Sequence, residues 1–208
     1  MKKIFIATLA VLLAAGACAQ TTIKLPAPKK DAQMTLYQAL QQRASVREFK
    51  TDAVPVQTLS DLLWAAEGIN REDGRLTAPT AINSQDIRLY VCQADGAYEY
   101  IAKDNSLVKV SDKDLRQDVA DGQGTVGEAP LSLVLVADVN RYRRPGPRSA
   151  TFGAIDCGYV SQNICLACEA LGLSTVPRAM MNQEVLRKEL GLEEGMELLI
   201  NHPVGYKK

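Results

Sequence analysis

From Leu131 to Ala137 every residue but Ser132 is apolar, and polar and apolar positions do not alternate. A run of this length, flanked by turn-forming residues, suits a strand buried on both faces at the centre of a sheet. Residues 197 to 200 carry a second run of this kind. Between Arg88 and Val110, aromatic and β-branched residues are interrupted at Asp95-Gly96 and Asp104-Asn105, which punctuate a three-strand meander.

Helical spacing surrounds these strands. Leu36, Ala39 and Leu40 suit a short amphipathic helix ending near Arg43. Leu59, Leu62, Leu63 and Ala66 recur in a second helix that starts after Pro55 and closes at Gly68, read as a left-handed C-terminal residue. Phe152 to Leu171 places Ile155, Val160, Ile164, Ala167 and Leu171 on a broad apolar face and stops at Gly172, and Glu184 to Leu190 forms a shorter helix. Helices lead, strands fill the middle and the end, and helices interrupt the sheet, so the expected class is α+β.

The first residues have the layout of a secretory signal. Lys2 and Lys3 precede an apolar run from Ile4 to Ala15, too short to span a membrane, and small residues follow to Ala19. Ala17-Cys18-Ala19 fits a cut before Gln20, and Ala15-Gly16-Ala17-Cys18 is a lipoprotein box without its usual leucine, which leaves a lipid anchor on Cys18 as the alternative. The expected organisation is a signal peptide over residues 1–19, an extended leader over 20–33 with two prolines and three lysines, and one domain over 34–208. Export to the periplasm follows, or lipid anchoring at the cell envelope.

Composition removes several functions. The 24 basic and 24 acidic residues cancel, so net charge gives no reason to expect nucleic acid or an anionic membrane as partner. There is no GxGxxG after a strand and no GxxxxGK[ST]. A single histidine, His202, makes a serine triad or a mixed His and Cys metal site hard to build. Cys165 and Cys168 have redox spacing, but they lie inside a helical pattern and not at a helix start, so they read as buried small residues.

Chemistry is left to two short segments. Arg43, Ser45 and Arg47 occupy alternate positions, so an extended chain points two guanidiniums and a hydroxyl to one side, an arrangement able to clamp phosphate oxygens or the edge of a flavin. Taken alone, such a stretch is more often a solvated basic face. The second segment, Ala78 to Gln85, is a run of small and amide-bearing residues that could approach a planar ligand closely, and equally a simple loop.

In this order and about thirty residues apart, the two segments resemble the nitroreductase family of FMN enzymes. That family opens with R-x-S-x-R-x-F, matched by Arg43, Ser45, Arg47 and Phe49, and follows it with A-P-S-x-x-N-x-Q, matched by Ala78, Pro79, Thr80, Asn83 and Gln85. Ala129-Pro130, Asp156-Cys157-Gly158, Gln162-Asn163, Gly172-Leu173, Val176-Pro177-Arg178, Leu190-Gly191-Leu192 and Val204-Gly205-Tyr206 look like further landmarks, extending the resemblance over residues 36 to 206. It is nearest to the compact members that resemble azoline-oxidising dehydrogenases.

The resemblance implies a homodimer with a central, mostly antiparallel sheet flanked by helices and two FMN molecules at the subunit interface. Arg43, Ala44 and Ser45 would take the phosphate and ribityl chain, and Arg47 the pyrimidine edge, where reduction leaves negative charge. Pro79, Thr80, Ala81, Asn83 and Gln85 would approach from the partner subunit, and Gln123 would touch the ring. Pro177, Arg178 and Ala179 would lie where the family offers backbone donors to flavin N5, with Ala179 where glycine is common. Lys207 is the candidate for the basic phosphate ligands that many members carry in a longer tail. The implied reaction is ping-pong hydride transfer from NAD(P)H or another reduced donor to a small organic acceptor such as a nitro compound or quinone. A non-catalytic flavin carrier on the same fold and a flavin-free exported binding protein are the rival readings.

Overall fold

The computed structural model describes residues 21–208. The signal peptide over residues 1–19 and the lipidation site at Cys18 lie outside the described residues.

The run from Leu131 onward forms β5 (Leu131–Asp138), all eight of whose residues are buried. Its side chains alternate between two cores. Leu131, Leu133, Leu135 and Ala137 join the core that includes Leu59, Leu62 and Leu63 of α2 (Val56–Glu67) and Cys157, Val160 and Ile164 of α4 (Ser149–Ala170). Val134 and Val136 point the other way, toward Val119 of α3 (Arg116–Ala120) and Leu186 of α5 (Gln183–Glu189). Helices therefore cover both faces, and that is why the run has no polar side.

The meander appears as expected: β2 (Ile87–Gln93), β3 (Gly96–Ile101) and β4 (Ser106–Ser111), with its turns at the predicted positions. The terminal run becomes β7 (Met196–Gly205), longer than predicted. With β1 (Thr22–Lys24) and β6 (Ser174–Thr175), these strands form one seven-stranded sheet in the order β1-β4-β3-β2-β5-β7-β6, every neighbouring pair antiparallel. The class is α+β, as read from the sequence.

Four local readings change. The leader is more than an approach to the domain: β1 pairs with β4, Leu25 is buried, and the Pro26 carbonyl accepts from Ser60 Oγ at 2.6 Å. Gly68 is extended (φ −77, ψ 159), not left-handed, and its glycine is required by space, since a Cβ would lie 2.2 Å from Trp64 Cδ1. Helix α1 (Leu36–Gln42) buries only Ala39 and leaves Leu36, Tyr37 and Leu40 exposed, the reverse of an ordinary amphipathic packing. On α4, Val160 and Ile164 are core residues, whereas Ile155 and Tyr159 lie on an exposed face.

The lone histidine has a structural place. His202 on β7 is fully buried, with Nε2 2.8 Å from Ser161 Oγ and Nδ1 3.2 Å from Thr175 Oγ1. Thr175 Oγ1 already donates its one proton to the Pro203 carbonyl, so Nδ1 carries the ring proton and Nε2 accepts from Ser161. Burial lowers the imidazole from its usual 6.5 to about 3, which keeps the ring neutral. The four cysteines among the described residues are buried and free, and burial pushes Cys92 and Cys157 up to about 12 and raises Cys165 and Cys168. The Cys165–Cys168 pair lacks the thiolate character that redox chemistry needs.

Candidate active site

Helix α1 ends at Arg43, whose N–H donates to the Ala39 carbonyl while its own backbone turns out of the helix (φ −49, ψ 122). The chain then runs past the edge strand β6 and the end of β7. Ser45 bridges Thr175 of β6, with Val46 N–H donating to the Thr175 carbonyl at 3.1 Å. Four residues later Phe49 bridges Lys207, and Lys50 N–H donates to the Tyr206 carbonyl at 2.8 Å. Phe49 is fully buried among Ala120, Val126, Ala129 and Val176. Backbone pairing and one aromatic anchor therefore fix the segment, leaving Arg43, Ala44, Ser45 and Arg47 exposed.

Neither guanidinium has a hydrogen bond or ion pair among the described residues. Their neighbours are visible through electrostatics: Arg43 lowers the Cys165 thiol against the larger effect of burial, and Arg47 acts on Arg178. The first segment thus lies against the C-terminal half of α4 and beside residues 176–180. Lys207 is exposed at its bridge to Phe49, two residues from Arg47, whereas Lys208 is committed to Glu128 at 2.7 Å.

Arg178 differs from the other candidates near it. It is 91 % buried, and its side chain donates to the carbonyls of Val119 (3.0 Å) and Ala120 (2.8 Å), to Asn201 Oδ1 (2.9 Å) and to Gln123 Oε1 (3.1 Å). Its backbone exchanges two hydrogen bonds with Asn201, at 2.9 and 2.7 Å. With side chain and backbone both occupied, Arg178 anchors a turn that presents its exposed neighbours Pro177 and Ala179. Gln123 is partly committed as well, holding Arg178 Nε and lying 3.5 Å from Met180 Sδ.

The second segment is built on strain and buried acid. Ile82, Asn83 and Gln85 have φ of 50, 55 and 49 degrees, the left-handed region that costs an ordinary residue about 1–2 kcal/mol. Thr80 Oγ1 accepts from Gln85 N–H at 2.9 Å, closing the loop, and Ala81 N–H donates to Asp156 Oδ2 at 2.8 Å. Below it Asp86, fully buried, accepts from Ser84 Oγ (2.7 Å) and Tyr142 Oη (3.2 Å). Burial, with Asp86 adding to it, pushes the Asp156 carboxyl up to about 6 although the Ala81 N–H opposes the shift. Pro79, Ile82 and Asn83 are exposed, whereas Gln85 turns its amide inward to the Gly74 carbonyl at 3.0 Å. Asp156 is legible in sequence only as a landmark, and Asp86 and Tyr142 carry no sequence signal, because their importance depends on a pairing across the fold.

One chain does not bring the two segments together. The loop rests on Asp156 and the clamp lies near Cys165, nine residues further along α4, or about 14 Å at the rise of an α-helix. Leu36, Tyr37 and Leu40 of α1 and Ile155 and Tyr159 of α4 are exposed apolar side chains on two helices that pack together. Beside the loop, Arg71, Arg75, Pro79, Thr80, Ile82 and Asn83 border a concavity of about 450 Å³. No cluster of metal-ligating side chains and no helix long and apolar enough to cross a membrane occurs among the described residues.

Comparison with known proteins places this geometry. The family model described as the nitroreductase family matches residues 40–206. A protein of Methanocaldococcus jannaschii named for the nitroreductases is 31% identical over 185 residues, covering 84% of this chain and 92% of that one. A crystal structure from Ralstonia eutropha JMP134, titled with the same family name, is 35% identical and superposes with a TM-score of 0.83, each chain covered to 90%. The Bacillus subtilis protein named FMN reductase [NAD(P)H] is 24% identical over 155 residues, which are 67% of this chain and about half (51%) of that one.

Proposed function

The chain belongs to the nitroreductase family, and on that premise we propose that it is an exported, FMN-dependent oxidoreductase that works as a homodimer. The observation that carries the reading is the separation of the two segments along α4: two unpaired guanidiniums and a hydroxyl lie at one end of an exposed apolar face, and a rigid loop of small residues at the other. A two-fold partner laid on that face covers Leu36, Tyr37, Leu40, Ile155 and Tyr159 and brings the loop of one subunit to the clamp of the other.

The donor set suits FMN. Arg43 and Ser45, with Lys207, hold the phosphate and ribityl chain, and Arg47 stands at the pyrimidine edge as a fixed positive charge. Pro177 and Ala179, held by the buried Arg178, border the reactive edge, and Thr80, Ala81 and Asn83 close it from the second subunit. When bound, FMN supplies the hydride chemistry, and donor and acceptor use the same open position in turn. The residues of the chain fix the ring, exclude water by burying it at a subunit interface, and tune its charge.

Export rests on the first nineteen residues, and β1 begins two residues after the Gln20 that cleavage would leave first. Reduced nicotinamides are scarce outside the cytoplasm, so the physiological donor is a different reductant. The test is to purify the mature chain, identify its flavin by mass, and mix it anaerobically with NADH, NADPH and reduced quinols. A yellow dimer beginning at Gln20 that a quinol bleaches faster than NADH supports the reading. A colourless monomer overturns the cofactor and the dimer together, and fast, saturable bleaching by NADH overturns the choice of donor.

A further inference from the structure

Away from the clamp, the C-terminus of α2 and the strands β2 and β3 enclose a cavity of about 200 Å³. One lining group is unexplained by the fold. Glu67, the last residue of α2, is only 5% exposed, and neither carboxylate oxygen has a hydrogen bond or ion pair among the described residues. No buried side-chain oxygen lacks a partner while sealed from space, so the Glu67 oxygens open into the cavity. A helix C-terminus carries partial negative charge, which makes this a costly place for a buried acid.

Apart from Lys103 at the rim, the other polar side chains around the cavity are already paired. Arg88 forms a two-point pair with Glu99 at 2.8 and 2.7 Å and lies 3.8 Å from Asp138. Arg141 lies 3.8 Å from the same Asp138 oxygen and donates to the Gln85 carbonyl at 2.9 Å. Tyr100 donates to Asn105 Oδ1 at 3.1 Å. Two arginines thus face two acids and cancel, Lys103 stands exposed at the rim, and the remaining interior demand is for a hydrogen-bond donor at Glu67. Ile87 and Ile101 give the rest of the wall an apolar character.

We propose that this cavity binds a small organic cation, a primary ammonium or guanidinium with a short apolar body, whose charged head pairs with Glu67. The head supplies the donor that the carboxyl lacks, the helix end adds favourable field, and the body lies against the isoleucines. Without the ligand, burial holds Glu67 well above the usual carboxylate range, with Asp86 and Glu99 adding to the shift and Arg141 opposing it. Binding therefore releases the proton of Glu67 to solvent. The inference stands apart from the flavin reading, because neither the cavity nor its test uses the clamp.

The test titrates the full-length protein as purified with propylammonium and with methylguanidinium by calorimetry at mildly acid pH, in buffers of different ionisation enthalpy, with propanol as the uncharged control. The expected result is saturable binding of a cation with release of about one proton per ligand, no binding of propanol, and a loss of about tenfold or more in affinity, together with the proton release, in Glu67→Gln. Glu67→Leu serves as a second variant, folded by its thermal transition and silent toward both cations. Absence of saturable cation binding to the wild type overturns the proposal. So does equal binding by Glu67→Gln, or binding without proton release.

Discussion

The clamp at residues 43–49 and the loop at residues 78–85 solve opposite problems. The clamp has a relaxed, extended backbone paired to β6 and to the end of β7, so its long side chains remain uncommitted. The loop commits its backbone: three non-glycine residues are left-handed, and two buried aspartates hold it from below. In the proposed site, the charged end of the cofactor would meet unspent side chains, and its flat ring a hydrogen-bonded, left-handed backbone with short side chains. The supports also differ in charge state, because a neutral histidine lies behind the clamp at Thr175 and a pair of acids behind the loop.

Breaking the clamp's foundation should have the largest effect. Arg178→Leu leaves four acceptors in the Val119–Ala120, Gln123 and Asn201 region without their donor and should cost about 3–5 kcal/mol in stability, read by denaturant unfolding. A loss of flavin with unchanged stability would instead put Arg178 on the ligand.

Arg43→Ala and Arg47→Ala should do the reverse. Each removes charge-assisted bonds worth about 1.5–3 kcal/mol to FMN, so affinity measured by fluorescence quenching should fall roughly 10- to 100-fold. As exposed side chains they should leave stability within about 0.5 kcal/mol of the wild type.

The two supports should respond to pH in opposite directions. His202 is depressed from 6.5 to about 3, so its contribution is fully present above 6.5 and is lost as pH falls toward 3. Asp156 is raised from 3.8 to about 6, so its contribution is present below 3.8 and is lost as pH rises through 6. Amide exchange should show protection of Val46 weakening on acidification and that of Gln85, whose N–H bonds the non-titrating Thr80 Oγ1, strengthening; parallel changes would mean the two supports are not separate.

The smallest change concerns strain. Ile82 is 80% exposed and left-handed, so Ile82→Gly should stabilise the isolated chain by about 1 kcal/mol or less once the added freedom of the unfolded state is counted. The same variant should weaken dimerisation, read by sedimentation, because an exposed apolar side chain beside the proposed interface is removed.

The sequence carried the elements whose signal is local. The period of α2, the unbroken apolar character of β5 and the turns at Asp95-Gly96 and Asp104-Asn105 were all legible, because burial on one or both faces writes itself into spacing. The exposed Leu36, Leu40 and Ile155 misled the reading for a physical reason: an apolar face looks the same in sequence whether its own core or a second subunit covers it.

The site divides along the same line. Residue types at the right spacing named the clamp and the loop, since alternation along an extended chain fixes what points together. Only the tertiary structure decided which candidates are free. The side chains of Arg178 and Gln85 are taken by Val119, Ala120, Asn201, Gln123 and Gly74, partners distant in sequence. The acids below the loop and the lone acid at the end of α2 were likewise invisible. The sequence determined which groups the chain owns, but whether a charged group is spent or available depends on what the fold places within three ångströms of it.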